Sequence, residues 1–482
     1  MKILLVAVLA MMIGKYSAQA QQQKTDIKPN IILIVADDLG WKDLGVMGSK
    51  YYKTPNLNAL AKQGMLFDNS YASAANCAPS RACLLSGLNT PRHGIYTVGS
   101  SQRGDTRTRK LIPIKNNNFL ADSVITLAET LKEEGYYTCI AGKWHIGIDP
   151  LTQGFMQNIG GTKQGHQASY FPPYKNPALA DGKSGEYLTD RLTLEAIGVI
   201  EQQQKKPFFL YLPYFAVHGP LQAPEHLKEK YRNQPAVDGQ GNITYAAMIE
   251  SLDTNIGLLL AKVEELKLSD NTIIIFTSDN GGIRATSEQN PLRAGKGSYY
   301  EGGVRVPLLV KWAKKIKAGA VNNTVVSNLD FYPTILDILK IKRPEQQFDG
   351  ISIWPALQGS KLPDRAMFWH FPIYLQAYDP KSDQGRDPVF RTRPGSTIRL
   401  GNWKLHQYFE DGKLELYNLK DDLGEQHDLS GKYPEVVRQL LEKLSDWRKN
   451  VKAPVPSQIN PEFEPELQFD VKLTKRGKDD EN

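Results

Sequence analysis

Asn30 to Gly40 reads NIILIVADDLG. Six apolar residues, Ile31 to Ala36, run without polar alternation and stop at two aspartates, Asp37 and Asp38. A strand half-exposed to water alternates apolar and polar residues. A continuous β-branched run belongs to a strand covered on both faces, as at the centre of a parallel sheet. The pattern recurs. PFFLYLPYFAVHGP (207–220) leads to His218, and NTIIIFTSDNGG (271–282) leads to Asp279 and Asn280. YYTCIA (136–141) precedes GKWHIG, which carries Lys143 and His145.

Helical patterns lie between these runs. TPNLNALAKQG (54–64) has Thr54 as N-cap, Pro55 at the first helical position, Leu57, Leu60 and Ala61 on one face, and Gly64 as stop. Ser123 caps a second helix, with Val124, Leu127, Ala128 and Leu131 at helical spacing before Gly135. YAAMIESLDTNIGLLLAKVEELKL (245–268) is a long amphipathic helix. Strands alternating with helices predict an α/β fold: a large, mostly parallel (mixed) central sheet sandwiched by helices. Past about Pro363 the texture becomes short antiparallel strands and one helix from Pro434, predicting a smaller C-terminal α+β subdomain. The expected organisation is residues 21–362 as a large N-terminal domain, 363–455 as that subdomain and 456–482 as a polar tail.

Residues 1–20 have a basic Lys2, an apolar run from Leu4 to Ile13 and a small-x-small end at Ala18-Gln19-Ala20. This reads as a secretory signal peptide and predicts an exported protein, periplasmic or secreted. The run is far shorter than the ~20 residues a membrane span needs, so no stable membrane insertion is expected. The 482 residues carry a formal charge of +7, which falls to +5 once Lys2 and Lys15 leave with the leader. With no long basic block, nucleic-acid binding has no support. An exported protein usually pairs its cysteines, yet there are three: Cys77, Cys83 and Cys139.

The polar residues gather beyond the strand ends, where open α/β sheets bind ligands. Asp37, Asp38, Asp279 and Asn280 are four oxygen donors ending two core strands, a set suited to a hard cation, Ca²⁺ or Mg²⁺. Arg81, Lys143, His145, His218 and Lys296 add donors that would neutralise a tetrahedral oxyanion. Cys77 heads NCAPSRACLLSGLN (76–89) at a predicted helix start. A phosphatase loop needs five residues between cysteine and arginine; here there are three. Cys77 and Cys83 lie too far apart on one helix to pair.

CAPSRACLLSG, VADDLG, GKWHIG, VHGP, SDNGG and GKGSYYEGGVRVP together resemble the type I sulfatases of the alkaline phosphatase superfamily. The resemblance runs from Asn30 to Leu357 and includes the C-terminal subdomain; it is nearest to the arylsulfatase A and N-acetylgalactosamine sulfatase branches. It implies that Cys77 is oxidised to Cα-formylglycine by a formylglycine-generating maturation enzyme before folding, with Pro79 and Arg81 as part of the signal. It implies Ca²⁺ held by Asp37, Asp38, residue 77, Asp279 and Asn280. It also implies Arg81 orienting the nucleophile, Lys143 and Lys296 holding sulfate, His145 assisting deprotonation and His218 as general acid. One departure stands out: Leu88 occupies the position where the family motif often has arginine.

The substrate expected is a sulfated carbohydrate, with a 4- or 6-O-sulfate on galactose or N-acetylgalactosamine. Arg103, His166, Arg293 and His370 are the candidate contacts, with Arg107, Arg109, Arg399 and Trp403 as further candidates. Two other readings are a phosphonate or phosphate ester hydrolase on the same scaffold and a non-catalytic glycan-binding protein; the complete acid/base set argues against the latter.

Overall fold

The computed structural model describes Lys28 to Thr474. The leader read in residues 1–20 lies outside the described residues, as does the tail beyond Thr474.

The main sheet has eight strands. They are β1 (Asn30–Ala36), β2 (Met65–Phe67), β4 (Tyr137–Ala141), β5 (Gln157–Ile159), β6 (Phe208–Pro213), β7 (Thr272–Ser278), β8 (Leu308–Lys311) and β9 (Ala320–Asn322). Their order is β5-β4-β6-β1-β7-β8-β2-β9. Only β8 runs against the rest, pairing antiparallel with both β7 and β2, so the sheet is mixed and mostly parallel. β1 lies between β6 and β7, and all seven of its residues are buried.

Alternate residues of β1 supply two different cores. Ile32, Ile34 and Ala36 pack with α1 (Pro55–Gln63), α4 (Leu188–Gln203) and α5 (Ile243–Glu265). Ile31, Leu33 and Val35 pack with α2 (Cys77–Ser86), α3 (Leu127–Glu133) and α6 (Phe331–Leu339). Each fully buried aliphatic side chain contributes about 1.5–3 kcal/mol, which is why this stretch needs no polar face.

Two helix starts differ from expectation. α3 begins at Leu127, not after Ser123: Thr126 caps it, and Glu129 completes a reciprocal capping box. Thr126 offers the hydroxyl–carboxylate pair that Ser123 lacks. Thr54 does not cap α1 with its side chain; its hydroxyl accepts the Gly45 N–H at 2.8 Å.

β3 (Ser70–Tyr71) pairs with β10 (Val326–Ser327). Beyond them, β11 (Met367–Phe371), β14 (Gly395–Leu400), β15 (Trp403–Tyr408) and β16 (Leu414–Asn418) form an antiparallel sheet in the order β11-β14-β15-β16. A ribbon of β12 (Leu375–Gln376) and β13 (Phe390–Thr392) lies beside it. α7 (Pro434–Asn450) buries Val437, Leu440 and Leu444 against Ile398, Leu405 and Leu416. The described part of the tail is packed: Asn460 Nδ2 donates to Arg109 O at 2.8 Å, and Gln468 O accepts from Arg393 at 2.9 Å. Among the described residues no helix is long and apolar enough to cross a membrane.

Candidate active site

β1 and β7 are parallel neighbours with Ala36 beside Ser278, so Asp37–Asp38 and Asp279–Asn280 leave the sheet at one level. The two turns are tied together: Asp279 N donates to Ala36 O at 3.1 Å, and Asp38 N donates to Asp279 Oδ1 at 3.2 Å. Asp38 and His145 both hold left-handed backbones, φ 59° and 68°. Non-glycine residues pay for that conformation, and it clusters where a site demands a particular side-chain direction.

α2 is buried over its whole length, with Cys77 as its first residue. Cys77 Sγ lies 3.4 Å from Asp37 Oδ1 and 3.7 Å from Asp38 Oδ1. One ligand atom each from Asp37, Asp38, Cys77 and Asp279 falls within 4.8 Å of the others. One turn along α2, Arg81 Nε donates to Asp279 Oδ2 at 2.9 Å and Nη1 donates to Lys143 O at 3.1 Å. Lys143 Nζ donates to Asp37 Oδ2 and Lys296 Nζ to Asp38 Oδ2, each at 2.7 Å. His218 Nε2 stands 3.5 Å from Asp38 Oδ2. Its Nδ1 is 2.7 Å from Gly219 O; a carbonyl only accepts, so Nδ1 carries the proton and Nε2 is left to the site. His145 Nδ1 is buried without a hydrogen-bond partner. The structure thus gathers Cys77, Arg81, Lys143, His145, His218, Lys296 and the Asp37, Asp38, Asp279 and Asn280 set around one point.

Electrostatics differ between the two adjacent aspartates. Burial, helped by Asp279 and Asp38, pushes Asp37 up to about 7 despite Lys143. Burial also opposes ionisation of Asp38, but Lys296, then His218 and Lys143, hold it well below the carboxylate range. Burial, then Lys296, pushes His218 down to about 3, and burial with Lys143 keeps His145 far below its ordinary value. Both imidazoles are therefore neutral, with a lone pair available.

The donor set fits a hard cation. Asn280 Nδ2 donates to Asp38 Oδ1 at 2.8 Å, while its Oδ1 is buried with no hydrogen-bond partner. A buried orphan acceptor is expensive in a dry protein. Beside three converging carboxylates it could serve a hard cation as a further oxygen ligand.

Gly142 sets the entry to Lys143. Its φ is 125°, and a Cβ there would meet Pro213 O at 2.0 Å, the same carbonyl that accepts from Lys143 N at 2.7 Å. Gly142→Ala is expected to destabilise the fold by about 2 kcal/mol or more and to lower turnover by displacing Lys143. Denaturant midpoints and steady-state kinetics measure both; a stability change below about 0.5 kcal/mol would contradict the steric argument.

The expected substrate contacts divide. His166 is brought to the site: its ring stacks on His218, centroids 6.2 Å apart and 14° between planes. Arg103 donates to Val98 O, and Arg109 to Gly104 O at 3.1 Å, so both tie down their own loop. Arg107 is held by Asp105 at 2.8 Å. Arg293 lies 3.8 Å over the Tyr300 ring and donates to the carbonyls of Gln384, Gly385 and Glu425. Its guanidinium fastens the C-terminal module rather than facing a ligand. His370 is corrected outright. It is buried, with Nδ1 2.8 Å from Ser396 Oγ and Nε2 2.9 Å from Pro454 O, so neither nitrogen is left for a substrate. Arg399 likewise is buried and donates to Tyr71, and Trp403 packs on Tyr433 with centroids 5.2 Å apart.

Several supporting residues carry no motif of their own. Asn328 fixes α2, donating to Ser80 O at 3.1 Å and to Ser80 Oγ at 2.9 Å. Asp43, buried, accepts from Tyr245, Ser287, Gln289 and Gly40 N and fixes the loop after Asp38. Glu301, buried, receives Lys404 at 2.9 Å and Arg305 at 3.2 Å. Only Glu301 had a visible signal: a lone charge amid apolar and glycine residues in YYEGGV.

The family model described as Sulfatase matches residues 29–341, and that described as N-sulphoglucosamine sulphohydrolase, C-terminal, matches residues 295–450. A protein called sulfatase from Formosa agariphila is 34% identical, covering 93% of this chain and 94% of its own. Human N-acetylgalactosamine-6-sulfatase is 32% identical, covering 89% and 87%. The crystal structure of Ps i-CgsB in complex with k-i-k-neocarrahexaose superposes with a TM-score of 0.72 at 31% identity, covering 94% of this chain and 99% of that one.

Proposed function

The chain belongs to the sulfatase family and is a sulfuric ester hydrolase, and from that premise we propose that it removes an O-sulfate from a galactose- or N-acetylgalactosamine-type residue of a sulfated glycan, using Cα-formylglycine made from Cys77 and one Ca²⁺. The observation that carries the reading is Cys77 at the buried head of α2, 3.4 Å from Asp37 and 3.7 Å from Asp38, with Lys143 and Lys296 bonded to those same carboxylates. The names of the two similar proteins, one an N-acetylgalactosamine-6-sulfatase and one bound to a neocarrahexaose, support the sugar class.

Residue 77, once oxidised and hydrated, would supply the nucleophile for sulfur and the means of releasing the sulfate afterwards. Asp37, Asp38, Asp279 and Asn280 would hold Ca²⁺, which would supply Lewis-acid polarisation. The chain's own groups do the rest. Lys143 and Lys296 meet the sulfate charge, and Arg81 holds Asp279 and the Lys143 backbone in register. His145, neutral with Nδ1 unpartnered, takes a proton beside residue 77. His218 points Nε2 at the site; a bound sulfate's negative charge would favour its protonated form, and Nε2, protonated in that complex, would deliver the proton to the leaving sugar oxygen. Export, read from residues 1–20, would bring the enzyme to extracellular or periplasmic glycans.

The test pairs peptide mass spectrometry at Cys77 with sulfate release from 4- and 6-O-sulfated galactose and N-acetylgalactosamine. The expected result is an aldehyde at residue 77, sulfate release from at least one sugar, loss on chelation and recovery with Ca²⁺. Faster cleavage of a phosphonate monoester than of every sulfate ester would turn the reading to phosphonate chemistry.

A further inference from the structure

The loop that carries Lys296 is stitched to three separate parts of the chain. Lys296 N donates to Gly282 O at 2.9 Å, two residues beyond Asn280. Gly297 N donates to Ala75 O at 2.8 Å, two residues ahead of Cys77. The third stitch comes from the C-terminal module. Arg391, on β13, is buried, and its Nη1 donates to the backbone carbonyl of Lys296 at 3.0 Å.

Arg391 is itself held in place. Its Nε donates to Gln376 O at 2.8 Å, on the paired strand β12. Its guanidinium lies 3.5 Å from the centroid of the Tyr378 ring. The approach to the loop is close: at Gly297, φ 85°, a Cβ would lie 2.6 Å from Nη1. Glycine both accepts that backbone conformation and leaves room for the guanidinium.

A lysine ammonium rides on a flexible four-carbon stem, so its position is only as firm as the backbone beneath it. Lys296 Nζ reaches Asp38 Oδ2 at 2.7 Å. With the Lys296 N–H tied to the turn after Asn280, the carbonyl on its other side is the handle that Arg391 grips.

We propose that Arg391 is a positioning residue for the sulfate grip: it fixes the Lys296 backbone so that the ammonium stands ready for sulfate beside Asp38. This rests on the reading above that Lys296 meets the sulfate charge. Arg391 acts through the Lys296 peptide, and affinity for sulfate is thereby set in part from the C-terminal module. A displacement on the order of 1 Å in such a group is enough to cost a large share of its effect.

Calorimetric titration of inorganic sulfate into the Ca²⁺-loaded protein reads this grip with neither sugar nor turnover. Arg391→Ala is expected to weaken sulfate binding about tenfold. Arg391→Lys keeps the charge but loses the fork, and is expected to weaken it about threefold. Arg393 supplies the control. It is buried in the same segment and also bridges to the large domain, donating to Thr108 O at 3.1 Å and to Glu410 Oε2 at 3.0 Å. Arg393→Ala is expected to lower the melting temperature yet hold sulfate within about twofold of wild type. The proposal is overturned if Arg391→Ala binds sulfate as wild type does, or if Arg393→Ala weakens it equally. Should Arg391→Ala fail to fold, wild-type binding by Arg391→Lys overturns it. Lys296→Ala tests the premise separately. Undiminished sulfate binding there would sink the reading of Lys296 and this proposal with it. Weakened binding there, with Arg391→Ala unaffected, would remove the positioning role alone.

Discussion

Cys77→Ala is expected to lower sulfate release on the order of 10⁴-fold or more, to the level of unassisted hydrolysis. Nothing else at the site can replace the lost nucleophile. Asp37, Asp38 and Asp279 are bound to Lys143, Lys296 and Arg81, and among the described residues Cys77 is the one thiol in the cluster of candidate ligand atoms. The fold is expected to survive, because the substitution removes one sulfur from a helix whose other residues stay packed. Cys77→Ser is the sharper variant. Its hydroxyl can attack once but has no second hydroxyl to expel the sulfate, so at most one turnover per molecule is expected. A pre-steady-state burst followed by silence would show this. Steady turnover by either variant within about tenfold of wild type would remove residue 77 from the chemistry.

Lys404→Met is expected to destabilise the protein by about 3–5 kcal/mol without touching the active site. Lys404 Nζ sits between Glu301 Oε1 at 2.9 Å and Glu425 Oε1 at 3.1 Å, and all three side chains are fully buried. Glu301 belongs to the large domain and Lys404 to β15. Removing the ammonium leaves Glu425 with His406 at 3.0 Å and the Glu301 N–H, and Glu301 with Arg305 and Tyr71. Two carboxylates then share too little positive charge. Lys404→Met combined with Glu301→Gln is expected to regain part of the loss, since one of the uncompensated charges is gone. Urea midpoints test both; a single-variant loss under about 1 kcal/mol would mean that the network is dispensable. The same group gives a pH signature. Burial opposes Glu301, but Lys404, Arg305 and Arg399 bring it from 4.5 down to about 2. It therefore stabilises the fold above about 4.5 and yields that contribution only as pH falls toward 2.

What could be read from the sequence depended on how local the cause was. Ile31–Ala36 announces a doubly covered strand because burial on both faces removes every polar residue, and the aspartates after it mark the sheet edge. That Asp37 and Asp279 share a site depends on β1 and β7 being neighbours, which the family motifs implied and the strand register displays. The antiparallel course of β8 left no local trace, since three buried residues read alike in either direction. His370 misled because a histidine in an aromatic segment looks available; its engagement by Ser396 and Pro454 is a matter of tertiary placement. Arg391 left no sequence signal for the converse reason. Its hydrogen bond to the Lys296 carbonyl joins segments far apart in the chain, and no spacing rule connects them.

If residue 77 is the proposed formylglycine, the enclosure of α2 fixes when it can be made. Cys77 is 1% exposed, beneath carboxylates and lysines that are themselves covered. A folded molecule would offer a modifying catalyst no access to that thiol. On that proposal conversion belongs before the chain closes, and a copy folded with its sulfur in place would not be rescued by adding the catalyst afterwards.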